Sequence, residues 1–180
     1  MPMMATMDQM IADSGWDLAW CERPVEEARN FNPAFCCELI ARTVSEYCKK
    51  RETALNFAMA FLILPLVVHR PTREALPGRA NAALASWVTE NNPLIAELPR
   101  RIARLRPITR EALLFAVSHK VLSIQGGGLF PGKFPIRLNA RPVATTDDVN
   151  EARAAAALLG RWFASQGTQT SIMQGMGVMP

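Results

Sequence analysis

Few residues of this chain could carry chemistry, and their spacing does not favour it. It holds two histidines, His69 and His119, and four cysteines. His119 follows Ser118 on the same helical pattern, but adjacent residues on a helix point in different directions, a poor arrangement for a nucleophile and its base. Glu26 and Glu27 are adjacent in the same way. Glu22 and Glu26 do have the spacing that puts two carboxylates on one helix face, yet they precede no recognisable ligand set, so these acids read as a capping turn or a polar face. Cys21, Cys36, Cys37 and Cys48 contain no C-x-x-C pair, which argues against zinc, and they read as free thiols of a cytosolic protein rather than a disulfide framework. Gly126-Gly127-Gly128 is not a phosphate loop, because the downstream Gly-Lys-Ser/Thr is missing. Phe134 stands after Gly132-Lys133 where a magnesium-binding hydroxyl would be needed. The expectation is a protein without catalytic residues, cofactor or metal.

The strongest charge feature is basic. Arg100, Arg101, Arg104, Arg106 and Arg110 lie close together, with Ile102 and Leu105 on the inward side. Such a run is most simply a solvated helix face. The sharper reading is a phosphate-tracking patch in which Arg100, Arg101, Arg104, Arg110 and Lys133 touch DNA. No aromatic residues interleave with the arginines, which argues against stacking on a single strand. An acidic protein surface would explain the patch equally well. A net charge of +4, with 49% hydrophobic and 20% charged residues, is compatible with either partner and demands neither.

The elements that must position these residues are mostly helical. The length of 180 residues suits one domain with a real core. Residues 1–15 are methionine-rich and carry no basic n-region, so they read as a disordered extension rather than a secretory signal. Residues 16–168 are expected to form one compact, mainly α domain. Asn32 and Pro33 open a helix to about Lys49. The apolar block 54–68 follows, too short to span a bilayer and distorted by Pro65. Thr72 caps a short turn, in which His69 closes the preceding helix or pairs with Glu74. A helical pattern then runs from Ala80 to Val88 until Asn91-Asn92-Pro93 interrupts it. Pro99 breaks or kinks the next segment, and Pro107 with Thr109 starts a helix whose Leu113, Leu114 and Val117 make an apolar face. Residues 123–138 read as a β-hairpin, with Leu122-Ser123-Ile124 and Lys133–Leu138 as its strands. That is the shape of a wing, with an ordered loop as the alternative. The last helix runs through Val149, Ala152, Ala156, Leu159 and Phe163, begins at a Thr145/Asp148 capping box and stops at Gly167.

Three stretches in order carry a family likeness. Arg23-Pro24-Val25-Glu26-Glu27-Ala28 leads into Phe31-Asn32-Pro33-Ala34-Phe35-Cys36. Phe61–Arg70 is followed by Thr72-Arg73-Glu74-Ala75-Leu76-Pro77. Leu159-Gly160-Arg161-Trp162-Phe163-Ala164 precedes a tail ending in Gly177-Val178-Met179-Pro180. From about Trp20 to Pro180 the chain resembles the middle component of bacterial three-component ABC ATPase systems of the Lamassu-like defence kind. Met179 stands where that pattern has a basic residue. The resemblance implies a cytoplasmic, non-enzymatic adaptor between an SMC/Rad50-like ABC ATPase and an effector such as a nuclease, acting against phage or plasmids, with any DNA contact indirect and no membrane. It implies partner contacts at Arg23, Arg70, Arg73, Glu74, Trp162, Ile172, Val178 and Pro180. Residues 169–180 are accordingly read as a docking tail, although the same apolar residues could fold back over Trp162 and complete the core. The competing class is a winged-helix DNA-binding regulator. A small enzyme with an unseen site is the third.

Overall fold

In the computed structural model, residues 31–137 and 145–178 are described, together with Glu22, Arg23 and Val25. Helices dominate them. In chain order they are α1 (Pro33–Arg51), α2 (Ala60–Val67), α3 (Arg70–Glu74), α4 (Leu84–Glu90), α5 (Asn92–Ala96), α6 (Leu98–Ser118), α7 (Asp147–Ser165) and α8 (Gln169–Gly175). Three short strands, β1 (Leu55–Asn56), β2 (Leu122–Gln125) and β3 (Gly128–Pro131), form an antiparallel sheet in the order β1-β3-β2. The fold is thus mainly helical with one hairpin, as the sequence predicts, and a third strand joins that hairpin.

The centre is the pairing of α1 with α7. Asn32 caps α1 by accepting from the Ala34 amide at 2.8 Å, and Pro33 occupies the first helical turn, where its missing N–H costs nothing. Cys36, Leu39, Ile40 and Val44 of α1 and Ala152, Ala156, Leu159 and Phe163 of α7 are all buried. Close approach requires Gly160: a Cβ there would lie 2.3 Å from the Thr43 carbonyl oxygen. Thr43 uses its hydroxyl across the same contact, donating to the Ala156 carbonyl at 3.0 Å. Ion pairs rim the seam. Glu38 accepts from Arg153 at 2.8 and 2.9 Å and from Arg42 at 2.9 Å, while Arg161 reaches Glu46 at 3.0 Å. Burial acts to raise the Glu38 carboxyl, but the hydrogen bonds and charges of Arg153 and Arg42 outweigh it and hold the group below the ordinary carboxylate range.

The apolar block departs from the helix expected over 54–68. Its first residues become β1 and a 3₁₀ turn (Phe57–Met59), and only Ala60–Val67 is α-helical, with Pro65 inside it. The cause is non-local: Leu55 pairs with Leu129 and Asn56 with Gly128. The hairpin itself turns on Gly126 and Gly127, both at positive φ, in a two-residue loop that glycine alone adopts without strain. The returning strand therefore begins at Gly128, and the expected second strand over Lys133–Leu138 is replaced by irregular chain as far as Arg137. Nor do Pro99 and Pro107 divide the arginine-rich segment. Pro99 sits in the first turn of α6, and Pro107 is accommodated within it. Thr146, rather than Thr145, caps α7, accepting from Val149 N.

The end of the chain belongs to the core. Ile172 and Met176 are fully buried, Met173 nearly so, and Val178 packs against them. Gln169 clamps the tail to β1, accepting from the Asn56 amide at 2.5 Å and donating to the Ala54 carbonyl at 3.1 Å. Arg51 binds the carbonyls of Ala164, Gln166 and Gly167 at 3.0–3.2 Å. In the described part of residues 169–180 the apolar side chains pack into this chain's own interior, the arrangement weighed against a docking tail. Residues 1–15 and Pro180 lie outside the described residues.

Candidate interaction surface on the arginine helix

Each arginine named from the sequence has a definite place, and the places differ. Arg101 points inward. Its Nη1 donates to the Pro65 carbonyl at 3.2 Å, to His69 Nδ1 at 2.7 Å and to the Thr72 hydroxyl at 2.6 Å, while Nη2 donates to the Leu94 carbonyl. It ties the end of α2 to α5 and α6, so its guanidinium is spent within the fold. His69 completes this knot, with Nδ1 2.7 Å from the Thr72 hydroxyl. For Nδ1 to accept from Arg101 the ring must be neutral, its proton on Nε2. Burial, then the Arg101 charge, lowers the pKa of His69 from the ordinary 6.5. His69 therefore neither caps a carbonyl nor pairs with Glu74, which binds Arg70 at 2.7 Å on the exposed surface.

Arg73 is also spent internally. It is buried, donates to the Val67 carbonyl at 3.1 Å, and meets Asp148 and Glu151 at the start of α7. The acids favour that end of the α7 dipole, and the arginine joins it to the end of α2. Arg23 is buried against Glu111 of α6 at 2.7 Å. Trp162 is fully buried, donates from Nε1 to the Ala82 carbonyl at 2.8 Å, and packs edge-on to Trp87 with centroids 5.1 Å apart. Of the contacts implied for partners, then, Arg23, Arg73, Trp162 and Ile172 are internal in this fold. Arg70 and Glu74 are exposed, and Val178 is half-buried.

The outward chemistry gathers on α6 and the hairpin after it. Arg100, Arg104, Arg106 and Arg110 are exposed. Arg100 lies 4.0 Å from Glu97. The other three have no ion-pair partner among the described residues. Along the same helix face, at the three- and four-residue spacing that aligns side chains, stand Leu114 and Val117, and both are exposed. Ile124 on β2 and Phe134 beyond β3 are exposed too, and Lys133 sits 5.5 Å above the Phe134 ring. The sequence offered the arginines, but not Leu114 or Val117, which fit an apolar stripe. What could have revealed them is the wheel of α6, which places Leu114 opposite the buried Leu105, Ile108, Ala112 and Ala116.

Nothing comparable to a reaction centre accompanies this surface among the described residues. Cys36 and Cys37 are buried, and burial raises their thiols to about 12 and about 11, Glu111 adding to the effect on Cys36 and Glu38 to that on Cys37. His119 lies on α6's last turn, Nδ1 2.9 Å from the Phe115 carbonyl and its ring stacked on Phe115. The described residues contain no group of three metal-ligating side chains, and no helix among them is long and apolar enough to cross a membrane. A shallow cleft of about 400 Å³ beside Trp87, lined by Ala75, Pro77, Ser86, Glu90 and Asn91, is open to solvent.

Among the described residues, α6 and the chain that follows it thus bring together exposed arginines and exposed large apolar side chains. Residues 20–180 match the family model of the ABC-three component (ABC-3C) system Middle Component 3, and the chain belongs to that family. It is thus a component of a multi-protein ABC system. No curated protein and no solved structure matches the chain.

Proposed function

We propose that this chain is a non-enzymatic, cytoplasmic adaptor that links the system's SMC/Rad50-like ABC ATPase to an effector, in a defence system directed at phage or plasmids. Family membership supports the partnership with the other components. The observation that carries the adaptor role is the division of labour among polar side chains. Arg23, Arg73, Arg101, Arg153 and Arg161 are engaged in internal pairs, whereas Arg104, Arg106 and Arg110 on α6 face outward without acidic partners among the described residues. A chain with an unspent face is suited to transmitting the state of one partner to another, provided its contacts differ between those states. The test is co-purification with the ATPase and the effector, together with nucleotide hydrolysis by the chain alone. The proposal expects a stable complex and no hydrolysis. Hydrolysis abolished by a point change in this chain would overturn it.

A second reading has a specific observation in its favour. A helix, a strand, further helices, and then a long helix leading straight into a hairpin, with strand order β1-β3-β2, supports a winged-helix reading. In that reading α6 is the recognition helix and Arg100, Arg104 and Arg110 contact DNA. Tight, salt-sensitive DNA binding by the isolated chain at physiological salt would favour it. The same shape also serves protein recognition, so shape alone does not decide.

A further inference from the structure

We infer that the outer face of α6, continued by the hairpin, is the docking site for an acidic, partly apolar segment of another protein component of the same system. This rests on the adaptor reading and names its surface.

Two independent observations converge on it. The first is charge. Helix α6 holds five arginines against the single acid Glu111 and no lysine, so this one helix carries as much net positive charge as the whole chain, +4. Of these residues Arg101 is half-buried, its guanidinium spent on the carbonyls of Pro65 and Leu94, and Glu111 is answered by Arg23. What α6 leaves for a partner is therefore mainly cationic: Arg104, Arg106 and Arg110 without acidic partners among the described residues, and Arg100 at 4.0 Å from Glu97. The second is grease. Five large apolar side chains are exposed among the described residues, and four of them follow one another in the chain: Leu114 and Val117 on the second half of α6, Ile124 on β2 and Phe134 just beyond β3. Leu114 alone keeps 69% of its surface in water. Exposed apolar side chains gathered in one region mark interaction sites more often than chance.

Together these select the occupant. On α6 itself the basic residues are all arginine, and they border large apolar side chains; arginine is the basic residue enriched at protein–protein interfaces. A guanidinium binds a carboxylate in a planar two-point contact and loses less on desolvation than an ammonium does. A duplex offers phosphates along its whole length but gives Leu114, Val117, Ile124 and Phe134 little to bury against except thymine methyls. An acidic segment whose carboxylates meet Arg104 and Arg110, and whose apolar side chains cover Leu114 and Val117, satisfies both halves. A second copy of this chain would set arginines against arginines.

The experiment purifies the full chain with the other two components of its own system and compares wild type with Arg104→Glu/Arg110→Glu, with Leu114→Glu, and with Arg79→Glu as an exposed control that reverses one arginine away from this face. Melting curves establish that each variant folds, as expected for sites on the surface. The inference predicts that the double reversal and Leu114→Glu each weaken the complex about tenfold or more, and that Arg79→Glu leaves it unchanged. Intact binding by the α6 variants would overturn the inference and leave the adaptor reading standing. Failure of the wild-type chain to bind either component would overturn both. Equal loss with Arg79→Glu would mean that net charge, not this face, drives binding. Salt-sensitive binding of double-stranded DNA, lost in the arginine variants while the complex survives, would assign the face to DNA. Self-association abolished by Leu114→Glu, with the complex unaffected, would assign it to a second copy.

Discussion

Replacing Gly160 by alanine isolates the contact on which the fold is centred. A Cβ on Gly160 would meet the Thr43 carbonyl oxygen at 2.3 Å and the Glu46 Cβ at 2.9 Å. Carbon and oxygen in ordinary contact need about an ångström more than the first of these. The obstructing oxygen is backbone within α1, so it cannot swing aside, and the helices must part or shift along each other. Overpacking of this kind costs about 1–3 kcal/mol, and a rigid obstacle puts Gly160→Ala near the upper end. Alanine returns about 1 kcal/mol through helix propensity. The net expectation is a loss of about 2 kcal/mol, or roughly 4–8 °C in Tm for a chain of this size. Movement at the seam also threatens the Thr43–Ala156 bond of 3.0 Å, so Thr43→Val in the Gly160→Ala background should cost less than it does alone. The control is Gly78→Ala, where a Cβ meets nothing within 4 Å, and it should melt within about a degree of wild type. A Gly160→Ala chain that melts at or above the wild-type temperature would refute the close-approach argument.

Other perturbations follow from the same structure. Truncating residues 170–180 should sharply lower the melting temperature, because it removes Ile172, Met173 and Met176 from the core; Ile172→Ala alone should cost about 2–5 kcal/mol, and an unchanged melt of the truncated chain would contradict that. His69 has its folded pKa held below its unfolded value of 6.5, so its contribution to stability is complete above about pH 6.5 and is lost as pH falls through the lowered folded value. Comparing the pH dependence of unfolding in wild type and His69→Gln checks this, the variant losing the component below pH 6.5. Cys36 and Cys37, with thiols raised to about 12 and about 11, should resist alkylation in the native chain at pH 8 and react on unfolding, as mass spectrometry would read directly.

Local signals in the sequence gave correct results where the structure is local. The Asn32-Pro33 start of α1, the three- and four-residue apolar repeat of α7 and the glycine turn of the hairpin are each decided within a few residues, and each is found. What could not be read is set by partners far along the chain. Leu55 and Asn56 sit in an apolar run that reads as helix, yet Leu129 and Gly128 pull them into a sheet. Arg73 and Arg101 looked like surface charges because their partners, Asp148 in one case and the carbonyls of Pro65 and Leu94 in the other, are assembled only by the tertiary fold. Trp162 and Ile172 drew attention as apolar residues near the end of the chain, and they prove to be its interior. The exposed part of the arginine cluster was legible as a charge run, but separating Arg104 and Arg110 from Arg101 required the geometry of α6.

The most direct test of the adaptor account is whether this chain holds the other two components together. The ATPase and effector, purified from the same system, would be mixed with and without it and resolved by size-exclusion chromatography with light scattering. The account predicts a single complex containing all three, which separates into free ATPase and free effector when this chain is omitted. Equal association of ATPase and effector in its absence, or a chain that elutes alone in the presence of both, would contradict it.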